Sequence, residues 1–203
     1  MSDRFRWHAV ETVYRETHQA AHGDELRWLV SRETIHDTVT GHTVTRSIMR
    51  HPGICVMVPF LTADRIVLVR QYRHPIAGEL WELPAGTLAA REEGGRPVPT
   101  ETPEACAARE LREETGYEAG VWEKAAQCYA APGGNDQVIH VFLARSLVRR
   151  RQALDPGEAI TEVRAFSAAD LEAMMGRGDV HDAKTLVGLL YALGRRPGGV
   201  RVS

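Results

Sequence analysis

The run Ile54-Cys55-Val56-Met57-Val58-Pro59-Phe60 sets the tightest limit on how this chain folds. It is apolar almost without interruption, the pattern of a strand buried on both faces rather than one with a wet side. Cover above and below such a strand comes from helices, so the expected core is a sheet between helical layers. A turn at Thr62-Ala63-Asp64 and a second strand over residues 65–70 follow directly. Residues 138–144 and 161–166 read as later strands. Helices are expected over 103–115, over 167–175 with a Ser167 and Asp170 capping pattern, and over 182–193. Strands and helices do not alternate strictly, which favours a mixed sheet.

Before His51-Pro52-Gly53 the texture differs. Residues 25–32 alternate, and residues 35–47 hold two extended segments about Gly41, the pattern of small antiparallel strands. We therefore expect an N-terminal β module over 1–50 and a main domain over 51–203. Residues 91–100, with two glycines, two prolines and four charges, read as an exposed loop.

At 203 residues and 43% hydrophobic content the chain supports one domain with at most a small added module. A net charge of −2 leaves no nucleic-acid footprint. Cys55, Cys106 and Cys128 form no CxxC pair, which argues against a disulfide framework, and Cys55 and Cys106 read as small core residues. His18 and His22 are spaced i, i+4 without a third ligand nearby and read as surface residues rather than a zinc site. The first seven residues lack the apolar run of a signal peptide, and no stretch is long enough to cross a bilayer. The expected setting is cytoplasmic, with neither membrane nor nucleic acid as partner.

The chemistry is concentrated on the 103–115 helix. Thr102 is placed to cap it, Pro103 suits its first turn, and Gly116 can end it in a left-handed conformation. At 100° per residue, Glu110, Glu113 and Glu114 fall on one stripe, with Arg109 one turn before Glu113. Three carboxylates on a stripe repel one another, and a hard divalent cation relieves this by oxygen ligation. A solvated face with Glu/Arg pairs is the alternative, and for an isolated helix of this composition it is the more common outcome.

Glu101-x7-Arg109-Glu110-Leu111-x-Glu113-Glu114-x-Gly116 resembles the Nudix box, G-x5-E-x7-R-E-U-x-E-E-x-G-U with U a bulky aliphatic. Gln71-Tyr72-Arg73 and Trp81-Glu82-Leu83-Pro84-Ala85-Gly86 resemble segments of the ADP-ribose pyrophosphatase branch, as do Ala131-Pro132-Gly133 and Asp182-Ala183-Lys184-Thr185. The likeness spans roughly residues 40–193. Three departures stand out. Gly95 has the box spacing to Glu101, but Gly86 follows Pro-Ala as the family's glycine does, which makes part of 91–100 an insertion. Tyr117 replaces the final aliphatic residue. Gln137 stands where the branch often has Glu.

The resemblance implies an α/β/α sandwich with a mixed sheet and an N-terminal β module shared across a homodimer. It implies that Glu110, Glu113 and Glu114 ligate Mg²⁺, or alternatively Mn²⁺, together with the Ala85 carbonyl and with Glu101 as a ligand or supporting carboxylate. Arg109 is assigned to holding Glu113. Arg73 becomes a pyrophosphate clamp, since guanidinium binds phosphate oxygens in bidentate fashion. Glu82 is expected to bind a metal or a ribose hydroxyl, or to cap a turn. Glu158 is expected as general base, with Glu162 as the alternative, and Trp28 and Arg46 as groups that stack on the base.

The implied reaction is Mg²⁺-dependent hydrolysis of ADP-ribose to AMP and ribose 5-phosphate. Another nucleoside diphosphate sugar such as GDP-mannose is the alternative substrate. A non-catalytic nucleotide sensor is disfavoured because every box glutamate is present, and a house-cleaning enzyme for oxidised nucleoside triphosphates is disfavoured by the extra N-terminal module.

Overall fold

The computed structural model describes residues 4–20, 23–154 and 159–194. In chain order its elements are β1 (Phe5–Ala20), β2 (Gly23–Asp37), β3 (Thr43–Arg50), β4 (Ile54–Thr62), β5 (Arg65–Arg73) and β6 (Gly78–Glu82). There follow β7 (Ala85–Thr87), β8 (Ala90–Glu93), β9 (Arg96–Pro99), α1 (Pro103–Thr115), β10 (Tyr117–Tyr129) and β11 (Val138–Arg149). The chain closes with β12 (Ile160–Ser167), α2 (Ala168–Arg177) and α3 (Ala183–Ala192). They fall into two compact units, the first made of Met1–Ile54, Thr87–Thr102 and Cys128–Val138, the second of the rest.

The second unit is built on a seven-stranded mixed sheet, ordered β10-β11-β4-β5-β12, with β6 added to β5 and β7 to β4. β4 is the apolar run identified above, and Cys55, Val56, Met57 and Val58 are all fully buried. Alternation along a strand sends Cys55 and Val58, three apart, to opposite faces. On one face the Cys55 thiol donates to the Pro103 carbonyl at the start of α1 (3.0 Å). On the other, Val58 lies against α3, where a Cβ on Gly188 would sit 3.3 Å from Val58 Cγ2 and 2.4 Å from Leu83 Cδ1. Helices therefore cover both faces, and the expected α/β/α sandwich is present.

Each helix begins or ends where its local chemistry directs. Gly116 stops α1 at φ 69°, donating its N–H to the Arg112 carbonyl (2.9 Å). Ser167 and Asp170 form a reciprocal capping box on α2, and Gly178 at φ 76° ends it. Asp182 caps α3 by accepting from the Thr185 N–H (3.0 Å).

The first unit carries the antiparallel sheet β1-β2-β3. Its strands are longer than the short segments expected, 16 and 15 residues for β1 and β2. Three register shifts along the pair add the local twist that lets such long strands stay paired. The charged Glu33 is fully buried here. An unpaired carboxylate would be costly there, and three side chains compensate: Arg50 through Nε (2.8 Å) and Nη2 (2.5 Å), Ser31 through Oγ (2.7 Å) and Trp7 through Nε1 (2.9 Å). Arg50 also reaches Asp136 (2.8 Å), whose other oxygen accepts from the His51 N–H (2.9 Å).

Residues 91–100 are not the irregular loop that the composition suggests. Most of that stretch lies in the antiparallel hairpin β8–β9, with Gly94 and Gly95 at φ 58° and 73° supplying its turn. Two consecutive left-handed residues are what a tight two-residue hairpin needs, so the glycines mark a turn rather than disorder. Arg15 of β1 forms an ion pair with Glu92 of β8 within this unit.

Candidate active site

α1 delivers its carboxylates to the interior. A solvated stripe would be exposed, yet Glu110 and Glu114 are only 7% and 2% exposed. Burial of charge is expensive unless partners meet it. The Arg109 guanidinium donates to Glu110 (2.7 Å) and to Glu113 (3.0 Å), so it bridges two of the three rather than holding Glu113 alone. Glu114 accepts the Ala85 N–H (2.9 Å) at the turn between β6 and β7. That turn approaches the helix so closely that a Cβ on Gly86 would lie 1.8 Å from Glu110 Cδ. A side chain there would push the Glu110 carboxylate aside, which favours Gly86 over Gly95 as the functional glycine. Gly95 sits in the hairpin turn of the first unit.

Among the described residues no three His, Cys, Asp or Glu side chains are gathered into a finished metal cage. The chemistry of the donor set nevertheless fits a hard cation: three carboxylates, all oxygen donors, beside a backbone turn with little side-chain bulk. Glu110, Glu113 and Glu114 are the residues that would hold it.

A second charged group lies in the same unit. Glu82, at 1% exposed, accepts from Arg73 through Nε (2.8 Å) and Nη2 (2.7 Å), and also from Lys184 Nζ. Lys184 in turn pairs with Asp182 (2.9 Å). Burial pushes the Glu82 carboxyl up, but Arg73 and Lys184 more than offset it and hold it below the ordinary carboxylate range. The Arg73 guanidinium, stabilised first by Glu82 and further by the charges of Glu114 and Asp182, stays protonated. Arg73 and Glu82 are thus each other's partners. The residues the sequence reading left without a role are Lys184, Asp182 and Thr185. Their signal was only the Asp182-Ala183-Lys184-Thr185 segment, and Lys184 lies 102 positions from the Glu82 it contacts.

The remaining candidates are held by other contacts. Glu101 belongs to the first unit, where it accepts the Ala89 N–H (2.8 Å). Trp28 stacks at a tilt on Tyr14, ring centroids 5.3 Å apart, and Arg46 is exposed on β3 opposite Glu33. Trp28 and Glu33 are five positions apart along β2, so Trp28 and Arg46 project from opposite faces of the sheet, roughly 16 Å apart along it. One chain cannot clasp one base between them. Glu158 lies outside the described residues, as does His22 of the i, i+4 pair; the alternative base, Glu162, is ion-paired with Arg164. Gln137 donates its N–H to the Asn135 side chain (3.2 Å).

This buried acidic helix against a Pro-Ala-Gly turn, on a sheet covered by helices, defines a class. A NUDIX domain model matches residues 49–186, and the chain belongs to the Nudix family. It is 35% identical over 153 residues to the ADP-ribose pyrophosphatase of Bacillus subtilis (strain 168), covering 74% of this chain and 77% of that one. It is 33% identical over 150 residues to the GDP-mannose pyrophosphatase of Citrobacter koseri, covering 70% and 73%. A solved structure described as an ADP compounds hydrolase shares the fold, with a TM-score of 0.74 at 19% identity over 97% of this chain and 96% of the other.

Proposed function

We propose that this chain hydrolyses the pyrophosphate bond of ADP-ribose to AMP and ribose 5-phosphate, using Mg²⁺ held by Glu110, Glu113 and Glu114 with the Ala85 carbonyl. The observation that carries the reading is the burial of Glu110 and Glu114 beside the Ala85-Gly86 turn, where Glu114 accepts the Ala85 N–H and a Cβ on Gly86 would overlap the Glu110 carboxylate. Membership of the family makes the chain a Nudix pyrophosphohydrolase, and such enzymes are generally dependent on a divalent metal. A divalent cation bound there neutralises diphosphate charge and acidifies a water.

The chain's own residues supply the rest. Arg109 keeps Glu110 and Glu113 in place. Arg73 offers the edge of its guanidinium that Glu82 does not occupy to the phosphate oxygens. Glu158 takes the proton of the attacking water as a new P–O bond forms and the bond to the bridging oxygen breaks, with Glu162 as the alternative acceptor. Glu101 supports the metal as a ligand or a neighbouring carboxylate. Glu82 serves the substrate through Arg73.

The N-terminal module over residues 1–50 contributes base recognition in a homodimer. Trp28 and Arg46 on opposite faces of one sheet can enclose a base only if two copies each supply one of them. Phe5, Trp7, Val10 and Val44, exposed along the face of that sheet that also carries Glu33, offer the apolar surface a dimer needs. Among the described residues no helix is long and apolar enough to cross a membrane, and a cytoplasmic setting fits the cysteine usage.

A substrate panel tests the reading: ADP-ribose, GDP-mannose, UDP-glucose, diadenosine polyphosphates and oxidised dGTP, each with Mg²⁺ and with chelator. ADP-ribose should turn over with the highest kcat/KM, and chelator should abolish it. Highest kcat/KM for GDP-mannose would select the alternative substrate, which the relative named for that sugar supports. Silence on every diphosphate would remove the enzyme reading.

A further inference from the structure

We propose that Lys184 is a positioning residue for the diphosphate: from the N-terminus of α3 it holds Glu82, and through Glu82 it sets the Arg73 guanidinium that receives the phosphate oxygens. The inference rests on the reading of Arg73 as the diphosphate contact.

Exposure decides which cation meets the substrate. The Arg73 side chain is 37% exposed and that of Lys184 only 14%, with the 1% exposed Glu82 carboxylate between them. Lys184 therefore stands behind Glu82, and Arg73 stands in front. Glu82 Oε1 accepts Arg73 Nε, while Oε2 accepts both Arg73 Nη2 and Lys184 Nζ. Lys184 shares that oxygen while Asp182 balances the lysine in turn, so what the lysine adds is a fixed orientation of Glu82 and, through it, of the Nη1 edge of Arg73 that phosphate oxygens need.

The lysine is itself located by the helix. Asp182 accepts from Lys184 (2.9 Å) while capping α3 through the Thr185 N–H (3.0 Å). Thr185 Oγ1 accepts the Leu83 N–H (2.9 Å), so α3 grips two successive residues, Glu82 by its side chain and Leu83 by its backbone. Two positions further on, Ala85 donates to Glu114 (2.9 Å). One helix start thus fixes the Arg73 contact and the turn beside the carboxylates from a single origin. A lysine placed for bulk stability would not need to share an oxygen with the arginine that faces out.

The test is a double-mutant cycle on the full chain with ADP-ribose and Mg²⁺. Lys184→Met should raise KM about tenfold with kcat within about threefold, because it weakens binding of ground and transition states alike. Arg73→Gln should raise KM at least as much, and adding Lys184→Met to it should change KM by less than about twofold, since residues acting as one unit are not additive. Additive effects, or a normal KM in Lys184→Met beside a raised KM in Arg73→Gln, would overturn the proposal and leave the Arg73 reading standing. A normal KM in Arg73→Gln would overturn that reading itself. If Lys184→Met alone does not fold, the comparison moves to the Glu82→Gln background. There the loss of Lys184 should shift KM by less than about twofold, and a larger shift overturns the proposal.

Discussion

At the scale of single residues the site turns on close approach. Gly86 faces Glu110 with no room for a methyl group, since a Cβ would lie 1.8 to 2.2 Å from three atoms of that side chain. The obstructing atoms are the far end of a flexible glutamate rather than backbone, so the glutamate would yield and the fold would survive. Gly86→Ala is therefore expected to displace the Glu110 carboxylate, lowering kcat by roughly tenfold or more and raising the Mg²⁺ concentration needed, with little change in Tm. Glu114→Gln provides the companion measurement. It removes charge from the same stripe and should cost at least about a hundredfold in kcat, with near-normal turnover showing that α1 is not the metal platform. A Gly86→Ala enzyme with wild-type metal dependence would show that the turn and the helix do not act together.

At the scale of elements, helices were legible from their ends and strands from their burial. Ser167 and Asp170 announce α2 with a pattern whose physics is entirely local, and both halves of the capping box form as expected. Ser167→Ala should accordingly destabilise the chain by about 1 kcal/mol in denaturant unfolding while leaving kcat unchanged. An equal stability would mean that α2 is held by packing of Leu171 and Met174 alone. The hairpin β8–β9 was not legible, because its turn glycines and the prolines Pro97 and Pro99 have the composition of a loop. An ion pair from Glu92 to Arg15 of β1, some 77 positions apart, adds a contact that no local window contains. A longer separation, 102 positions from Glu82, hid Lys184. A lysine in a helix reads as solvated surface until the fold brings a buried carboxylate to it. By contrast the carboxylate stripe was visible at once, though its burial, which distinguishes a binding helix from a wet face, belongs to the tertiary structure.

At the scale of the whole molecule, charged and titratable groups buried in both units tie stability to pH. His51 in the first unit is pushed down to about 4 by burial, against the opposing charge of Asp136, and its Nδ1 accepts the Gly53 N–H (3.0 Å). His140 in the second unit is also lowered, by burial and then by Lys124, and its buried Nδ1 has no hydrogen-bond partner among the described residues. Both remain neutral in the folded chain where the unfolded chain, with histidines near 6.5, already takes up protons. Stability is therefore full above about pH 6.5 and declines as the pH falls below it, the His51 contribution running out near 4. The carboxylates add a second, more acidic stage. Burial raises Glu33 and Glu82, but Arg50 with Ser31 and Arg73 with Lys184 more than compensate, so both lie below the ordinary 4.5. Their stabilisation is present above that value and is lost as the pH falls through their folded values. Calorimetric Tm followed from pH 8 to pH 4.5 should thus fall mainly below about 6.5, through the histidine stage. His51→Gln should reduce that slope, and His51→Gln with His140→Gln should reduce it further, since each removes one group that must charge on unfolding. An unchanged slope in the double variant would assign the acid sensitivity to the carboxylates, and Glu33→Gln would then be the substitution that moves it.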